Sequence, residues 1–464
     1  MNAPIIWIFF PIVESLLLIM LRKKKRAVII IAASSSFLLC LLALLLPIGT
    51  QKGEGLFPLF INPELEILGR RFFIQQEDNL LLALIYGVGT VWFAGSLIID
   101  TSVFFPALGM AFLALIIAAS TVEPFLYAAL LIEGAALICL PFLVRYRDKS
   151  RRGIFRFIIF QTLGMPFILL AGWFLVGGEV VPVSEVQLIQ ATALLIFGFA
   201  FWLGIFPLHT WIPMLAEDSS PLTVGFVLSV LSFNGIFMLL EFFNRFAWLR
   251  EFSAIYPTLR YLGALMIIFA GIWSLFQQSL ERYFAYALIF SSGSALISLG
   301  LIPNDGIYFY AAGILPKFVG ILLMSWSMQL LLARNKSLQL SAVTGRAGNF
   351  PFSIAAFLVG FFAVVGLPLS PGFLTNALML ETLSNYSVGL ASIVLIGAFF
   401  LALAGFRLIL RFLSRSQIAT EEKESLSEKI LLICFICLVV LFGLFPSMFL
   451  FRAHNLFKGL EFLL

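Results

Sequence analysis

The chain has 464 residues, of which 61% are hydrophobic and only 11% are charged, with a mean hydropathy of +1.07. Soluble domains carry about 25% charged residues. This composition therefore excludes a soluble enzyme, a nucleic-acid-binding protein and a disulfide-stapled secreted domain. The net charge is +5. In a membrane protein, the positions of Lys and Arg along the chain say more about orientation than this sum does.

Apolar runs long enough to cross a bilayer, about 20 residues each, recur along the whole chain. The fourteen candidate spans lie at 3–21, 27–48, 79–99, 102–120, 122–144, 154–177, 188–210, 221–243, 257–277, 283–302, 306–333, 350–383, 386–410 and 429–450. These runs are continuous, whereas the strands of a transmembrane barrel alternate between apolar and polar residues. The sequence predicts an all-α integral membrane protein with about fourteen transmembrane helices.

Lysine and arginine are distributed unevenly between alternate loops of this predicted bundle. Twenty of the 29 fall on one side, including the clusters at 22–26 and 145–156, against eight on the other side and Lys317 within a span. Loops rich in Lys and Arg stay in the cytoplasm, so we expect both termini on the non-cytoplasmic side. A bacterial inner (cytoplasmic) membrane is the expected location.

Two connecting segments have compositions of their own. The largest outside loop, at 49–78, places glycines and prolines between short apolar runs, and we expect it to form a hairpin on the outer face. The stretch at 414–429 mixes acidic and basic residues, which predicts a solvated cytoplasmic connector.

Two spans carry clusters of helix breakers about 160 residues apart. The breakers are, in span seven, Gly204, Pro207 and Pro213 and, in span twelve, Gly366, Pro368, Pro371 and Gly372. Carbonyls freed by such breaks need partners in the protein or in a water-filled cavity. Broken helices at corresponding positions of two halves indicate a transport pathway, although Pro and Gly are also common in membrane helices generally.

The spacing of the two breaks matches one five-helix unit in each half of the chain. The predicted divisions are N-terminal helices with the outer loop at 1–101, a first five-helix repeat at 102–243, a second at 257–413 and a C-terminal helix at 414–464.

Ionisable side chains inside spans need an explanation, because a charge near the bilayer centre costs about 2.5–3.5 kcal/mol on insertion scales. Glu133 lies in the middle of span five and Lys317 lies beside Pro316 in span eleven. These two residues fit either a structural ion pair or a proton relay. His209, in the break of span seven, fits either a helix cap or the relay. Glu381, towards the end of span twelve, is a further candidate.

Other residues indicate that this chain holds no cofactor or metal. The two histidines, one of them His454, cannot supply the paired axial ligands of a membrane b-type cytochrome. Cys434 and Cys437 have a metal-site spacing but lie in an apolar span, where that spacing is more typical of packing. Glu14, in span one, is interpreted as a structural carboxylate that faces a neighbouring helix.

Four segments resemble one known family. The segment at 204–230, GIFPLHTWIPMLAEDSSPLTVGFVLSV, is similar to the signature GxxPxHxWLPxAxxxAPxPVSAxL of antiporter-like proton-translocating subunits. These subunits belong to respiratory complex I, group 4 membrane-bound hydrogenases and multi-subunit cation/proton antiporters. Weaker similarity follows in the family's order, in ERYFAYALIFSSGSALISLG, AAGILPKFVGILLM and GLPLSPGFLTNALML. The resemblance covers roughly residues 80–413 and implies two inverted five-helix repeats, each with a broken helix.

The resemblance also implies roles for individual residues. Glu133 matches the family's essential span-five glutamate, Lys317 its central lysine and His209 its broken-helix histidine. Three further positions that the family usually fills with charged residues are uncharged here, namely Trp202, Phe233 and Asn376. Because these side chains do not titrate near neutral pH, Glu133 lacks its usual lysine partner. Glu381 could replace the span-twelve charge only if its helix brings it to the same axis.

The resemblance implies a membrane-arm subunit of an NADH:quinone oxidoreductase or related complex, which couples electron transfer to proton translocation. Partners would be other membrane-arm subunits and lipid, with no nucleic acid and no quinone bound by this chain. Iron–sulfur or flavin groups would lie only in partner subunits, and the chain itself would be non-catalytic. The alternatives are a non-conducting structural subunit, a subunit of a membrane-bound hydrogenase or cation/proton antiporter, and a solitary solute transporter.

Overall fold

A computed structural model describes residues 2–49, 61–67, 69–144, 151–175, 185–414, 423–448, 454–460 and 462–463. The basic residues at 145–150 lie outside these described residues. The chain divides into two compact units. The first unit comprises Met1–Tyr146, Ile154–Trp202 and Asn455–Glu461, and the second comprises Arg147–Gly153, Leu203–His454 and Phe462–Leu464.

The first unit is built from eight helices of the described chain, which end at the transition near Trp202. Their bounds are α1 Phe10–Met20, α2 Lys25–Leu45, α3 Asn79–Gly95, α4 Phe104–Thr121, α5 Ala128–Ile138, α6 Leu140–Leu143, α7 Arg152–Leu175 and α8 Glu185–Leu203. A π-helical turn, Ile5–Phe9, precedes α1. The central element is α4, which packs against α1, α2 and α5 and is buried along most of its length.

A small sheet in the first unit joins the 49–78 loop to the segment before α5. Strands β1 Glu64–Ile67 and β2 Arg70–Phe73 form an antiparallel hairpin, and β3 Val122–Glu123 pairs with β2. Arg71 forms ion pairs with Glu64 on β1 and, at 3.7 Å, with Glu123 on β3. The sequence predicted a hairpin but not its third strand, because two residues are too short a run to give a strand pattern. Residues 50–60 of the loop lie outside the described residues.

The second unit contains eleven further helices of the described chain. Their bounds are α9 Trp211–Asp218, α10 Pro221–Arg245, α11 Ala247–Glu251, α12 Ile255–Ser274, α13 Leu280–Gly300, α14 Gly306–Asn335, α15 Leu340–Val343, α16 Pro351–Val365, α17 Phe373–Tyr386, α18 Val388–Leu413 and α19 Leu426–Leu444. Helix α14 packs against α10, α13 and α16, and α12 packs against α13 and α18. Helices α10, α13 and α14 are buried along most of their length and form the core of this unit.

Pairs of facing glycines bring helices of the second unit into backbone contact. A Cβ atom placed on Gly271 would lie 2.2 Å from the carbonyl oxygen of Gly397, so no larger residue fits at this crossing of α12 and α18. Equivalent close approaches join α12 to α13 and α14 to α16, at Gly263 with Gly293 and Gly320 with Gly360.

Twelve helices of the described chain are long and apolar enough to cross a membrane, and Ile5–Met20 and Pro351–Val365 are shorter apolar helices. The number, length and apolar character of these helices confirm the prediction of an all-α integral membrane protein. The predicted spans at 3–21 and 350–383 correspond to the two shorter helices. The second of these is short because the chain leaves the helix at Gly366 and resumes only at Phe373. The division at 1–101, 102–243, 257–413 and 414–464, with its repeats, stays a prediction.

The connector at 414–429 differs from the predicted solvated segment, although its residues 415–422 lie outside the described residues. Glu424 is 6% exposed and accepts hydrogen bonds from the backbone N–H groups of Phe352 and Ser353 at the start of α16. Glu428 forms an ion pair with Arg334 at the end of α14. Helix N-termini attract carboxylates because their first N–H groups have no partners within the helix. The acidic residues therefore tie the start of α19 to the rest of the second unit.

Candidate functional site

The break in span seven separates α8 from α9. Helix α8 ends at Leu203, Gly204 adopts a left-handed conformation with φ of +61°, and a 3-10 turn follows at Leu208–Thr210. Pro207 lies between Gly204 and this turn, and Pro213 lies in the first turn of α9. Neither proline interrupts an established helix, because both lie where backbone N–H groups have no helical partner.

His209 lies within this 3-10 turn and is 6% exposed. Its imidazole stacks on Phe206 with ring centroids 5.6 Å apart and meets the edge of Phe269 at 4.6 Å. Its Nδ1 has no hydrogen-bond partner among the described residues. The imidazole is thus held by aromatic packing, and Nδ1 makes no helix-capping bond within the described chain.

Lys317 lies in the interior of α14, beside Pro316. Its Nζ donates to the backbone carbonyl of Ser291 on α13 at 3.4 Å. Within the described part of the chain Lys317 forms no ion pair. An ammonium group carries three donors, so Nζ keeps donors for other partners.

A cavity of about 50 Å³ adjoins Lys317. One water molecule needs about 10–15 Å³ of such volume and two or more polar partners, so this cavity has room for several. Besides Lys317, its polar lining is formed by Ser229, Ser232, Ser291, Ser292 and Tyr310. The arrangement brings an amine, hydroxyl groups and space for water together inside the second unit.

Phe233 forms part of the wall of this cavity, at the position where the resemblance implies a lysine. Its ring packs against Phe237 and Phe318, with centroid distances of 6.2 and 5.9 Å. The neighbouring Asn234 is buried, and its Nδ2 has no hydrogen-bond partner among the described residues. An aromatic cluster therefore replaces the expected charge on this side of the cavity.

The break in span twelve lies between α16 and α17. Helix α16 ends at Val365, and its C-cap residue Gly366 has φ of +80°. The Nδ2 of Asn376 on α17 donates to the carbonyl of Val365 at 3.1 Å. A Cβ atom on Gly366 would lie 2.2 Å from that Nδ2, so the positive φ and the nearby amide both favour glycine at the break. Asn376 thus satisfies a carbonyl that the interrupted helix leaves free.

A second cavity, of about 160 Å³, lies at this break and is lined by Ser294, Gly366 and Asn376, among others. Pro368 and Pro371 lie between the two helices, and Gly372 directly precedes α17. Their position keeps the connection non-helical, because proline lacks the N–H group that a helix interior needs.

Helix α13 contributes to both cavities. Ser291 and Ser292 line the cavity beside Lys317, and Ser294 lines the cavity at the span-twelve break. Ser294 and Ser298 also donate to the sulfur of Met379 at 3.8 and 3.5 Å. Sequence reasoning used this segment only as part of a family motif. The sequence feature that could have identified this polar helix was the density of serines inside an apolar span.

Glu381 does not reach this region. It lies exposed on α17, whereas Asn376 and Leu380 of the same helix line the cavity. A helix turns by about 100° per residue, so five positions beyond Asn376 correspond to a different face. Substitution of the missing span-twelve charge by Glu381 is therefore not supported by its position.

Glu133 and Trp202 lie in the first unit. Glu133, on α5, accepts a hydrogen bond from the Thr162 hydroxyl on α7, and its Oε2 has no partner within the described chain. Trp202 donates from Nε1 to the Gln161 carbonyl at 3.1 Å. A Cβ atom on Gly164 would lie 2.3 Å from the indole ring, so the ring fills the space between α7 and α8. A packed aromatic side chain thus occupies the position where the resemblance implies a lysine.

One ion pair in the second unit was missed by sequence reasoning. Glu217 on α9 accepts two hydrogen bonds from the Arg282 guanidinium at the start of α13, at 2.7 and 3.0 Å. Such a bidentate pair fixes geometry better than a single contact, so it anchors α9 beside α13. Glu217 lies in the segment at 204–230, and Arg282 lies in ERYFAYALIFSSGSALISLG. Their opposite charges were the sequence feature that could have predicted the pair.

The chemistry available here is proton exchange. An amine and hydroxyl groups beside space for water can pass protons, whereas no group of three His, Cys, Asp or Glu in the described residues could hold a metal ion. The two cavities, each lined in part by serines of α13, place polar groups inside an apolar unit. Carbonyls and polar groups at membrane depth are tolerated where they line such cavities.

Known relatives match about half of the chain. NADH-ubiquinone oxidoreductase chain 5 of Chondrus crispus is 27% identical over 266 residues, which are 54% of this chain and 38% of that relative. The chain spans less than half the length of the curated relatives it matches.

Two solved structures share the fold over nearly the whole chain. A chain of the membrane-bound sulfane sulfur reductase, an archaeal respiratory membrane complex, has a TM-score of 0.83 at 16% identity and 100% coverage of both chains. A chain of respiratory complex I from Thermus thermophilus has a TM-score of 0.78 at 20% identity, covering 99% of this chain and 98% of that one. Residues 124–404, more than half of the chain, match the family described as NADH:quinone oxidoreductase/Mrp antiporter, transmembrane. The chain belongs to this family of membrane proteins.

Proposed function

We propose that this chain is a membrane-arm subunit of a multi-subunit complex that couples electron transfer to proton translocation. Family membership, and relatives whose names are those of quinone oxidoreductase subunits, support this proposal. The single observation that carries the proton step is the position of Lys317. This amine lies inside an apolar unit, without an ion-pair partner in the described chain, beside a serine-lined cavity.

The proton step uses groups of this chain alone. Lys317 holds a proton at Nζ, and water in the adjoining cavity, positioned by the hydroxyls of Ser291 and Ser292, receives it. The cavity at the span-twelve break offers the next polar space, on the side of α13 that carries Ser294. Asn376 bonds the freed carbonyl there and does not itself titrate. This route needs no charge at Phe233 or Asn376.

In this proposal, partner subunits of the complex carry out the electron transfer. We assign electron-carrying groups such as iron–sulfur clusters or flavin to partner subunits, and no quinone to this chain. The partners are other membrane-arm subunits and the surrounding lipid. We place the complex in a bacterial inner membrane, with both termini of this chain on the non-cytoplasmic side, because 20 of the 29 basic residues fall in loops of the other side.

A non-conducting structural subunit is the second candidate. The observation that favours it is the loss of charge at Trp202, Phe233 and Asn376, with the indole of the first residue packed against Gly164. Under this alternative Lys317 only stabilises the contact of α13 with α14. A subunit of a membrane-bound hydrogenase or of a cation/proton antiporter would differ in its partners rather than in this geometry.

The test is to purify the tagged chain in mild detergent, identify its partners by mass spectrometry and reconstitute the assembly in proteoliposomes. Co-purifying iron–sulfur and quinone- or hydrogenase-type subunits support a redox-driven pump, whereas only antiporter-type subunits support a gradient-driven exchanger. Proton translocation per electron is then compared between the unchanged complex and Lys317→Met. Equal translocation at equal assembly would reject conduction through this chain and leave the structural role.

A further inference from the structure

A groove in the first unit lies between α1 and α2, far along the chain from Lys317. It has a volume of about 440 Å³ and is open on one side. Its walls are mostly apolar and include Phe10 and Val13, while Glu14, Ser34 and Ser35 are polar. We call it the Glu14 groove. Helix α1 packs on α4, and α2 packs on α3 and α4, so the groove is framed by two helices that rest on a common neighbour.

Glu14 is the polar residue in this groove that lacks an explanation. It is only 8% exposed, and its Oε2 has no hydrogen-bond partner among the described residues. An unsatisfied polar group in hydrocarbon is energetically costly, and acidic residues within membrane helices are normally paired. The proton step proposed above does not use Glu14. Ser35, on the other wall of the groove, hydrogen-bonds the carboxyl group, so it is Oε2 alone that has no donor among the described residues.

The depth of the groove limits what can supply that donor. Ser34, which shares the groove with Glu14, is nine residues from the start of α2 and eleven from its end. At 1.5 Å per residue, these distances are about 14 and 17 Å along the helix. A lipid headgroup stays at the interface and does not reach this depth. The donor must come from a molecule that carries a polar group in the middle of the hydrocarbon layer.

The shape of the groove favours a helix over a small molecule. Phe10, Val13 and Leu17 recur at helical spacing along α1 and are each about half exposed, so they form a ridge on one wall. On the other wall, Ser34 is exposed and belongs to a run of five small residues, 32–36. Small residues allow close helix approach in membranes, and polar side chains at such contacts form hydrogen bonds across helices.

We propose that the Glu14 groove binds a transmembrane helix of another subunit, one that carries a hydrogen-bond donor at mid-depth. Lys, Arg, Asn, Gln, Ser or Thr on that helix would donate to Glu14. The apolar ridge of α1 packs beside the bound helix, and the small residues of α2 allow it to approach. This inference rests on the proposed membership in a multi-subunit complex.

The experiment is photo-crosslinking in the intact complex within native membranes. A benzophenone amino acid placed at Leu17, in the groove wall, should form an adduct with one membrane subunit. The same probe at Leu16, which is exposed but does not line the groove, is the matched control and should give severalfold less of that adduct. Adducts with lipid alone, or equal yields from the two positions, would overturn the proposal.

Variants of Glu14 test whether the bound helix donates a hydrogen bond to this carboxyl group. In the Leu17 probe background, Glu14→Leu should lower the adduct yield severalfold, whereas Glu14→Gln, which still accepts a hydrogen bond, should retain most of it. An unchanged yield with Glu14→Leu would overturn the role of the carboxyl group. If the bulky probe prevents assembly, Ser34→Cys with a thiol-reactive crosslinker gives the same comparison. Purification without any other subunit would instead contradict the proposed function, so the two failures are distinguishable.

Discussion

The first and second units differ at positions where the resemblance implies a charged residue and this chain has an uncharged one. In the first unit, the position where the resemblance implies a lysine is filled by Trp202, whose indole packs so closely on Gly164 that a Cβ atom there would lie 2.3 Å from the ring. In the second unit, Lys317 is retained beside a cavity of about 50 Å³, and the uncharged Asn376 lies at a cavity of about 160 Å³. The replacement in the first unit thus fills the space between two helices, whereas space for water remains beside the uncharged residue in the second unit.

The largest effect is expected from Lys317→Met. Without a group that exchanges protons beside the cavity, translocation per electron should fall by at least about tenfold. Lys336→Met, at the exposed end of the same helix, is the matched control and should leave translocation unchanged. Proton uptake by proteoliposomes during steady electron transfer measures both. A Lys317→Met complex that pumps normally would remove the functional difference between the units.

A severalfold loss is expected from Ser292→Leu. The leucine side chain would occupy volume in the cavity that Ser292 lines, while Lys317 remains in place. Ser292→Ala removes the hydroxyl without filling the cavity and should retain more of the activity. If both variants pump alike in the same proteoliposome assay, the space for water is irrelevant.

A change in stability rather than transport is expected from Gly164→Ala. The added methyl group meets the Trp202 ring, and overpacking of this kind costs roughly 1–3 kcal/mol. Gly134→Ala is the control, because its nearest neighbour is a Leu115 carbon at an ordinary 3.8 Å, and it should be neutral or stabilising. Thermal unfolding in detergent compares them. Equal midpoint temperatures of unfolding for Gly164→Ala and Gly134→Ala would show that the Trp202 indole is not tightly packed on Gly164.

The smallest effect is expected from Glu133→Gln. The glutamine keeps an acceptor for the Thr162 hydroxyl, and Trp202, at the position where the resemblance implies a lysine partner, does not titrate. Translocation per electron should therefore stay close to that of the unchanged complex. A fall as large as that of Lys317→Met would mean that the first unit also conducts and that the contrast between the units is incorrect.

The sequence was sufficient for features that depend on local chemistry. Long apolar runs predicted the helices, and clusters of Pro and Gly predicted where two of them are interrupted, because both effects act within a few residues. Lys317 was singled out because a charge inside a span is costly.

The sequence was insufficient where the arrangement depends on which faces meet. The packing of Trp202 on Gly164 and the bond from Asn376 to Val365 join residues 38 and 11 positions apart, and no local pattern relates them. The burial of Glu424 against the start of α16 contradicts its position in a charge-rich connector for the same reason. Cavities arise from the mutual register of several helices, which a single sequence does not specify.

The facing glycines of the second unit have a consequence for timescale. Helices that touch backbone to backbone, as α12 and α18 do at Gly271 and Gly397, cannot tilt or slide without separating atoms already in contact. Collective helix motions take microseconds to milliseconds, whereas rotamer changes of exposed side chains take picoseconds to nanoseconds. Under the proposed function, proton movement past Lys317 is therefore expected to depend on the ammonium group and on reorientation of water within a fixed frame, rather than on helix motion. Any slower step in translocation would then be set by the other subunits of the proposed complex.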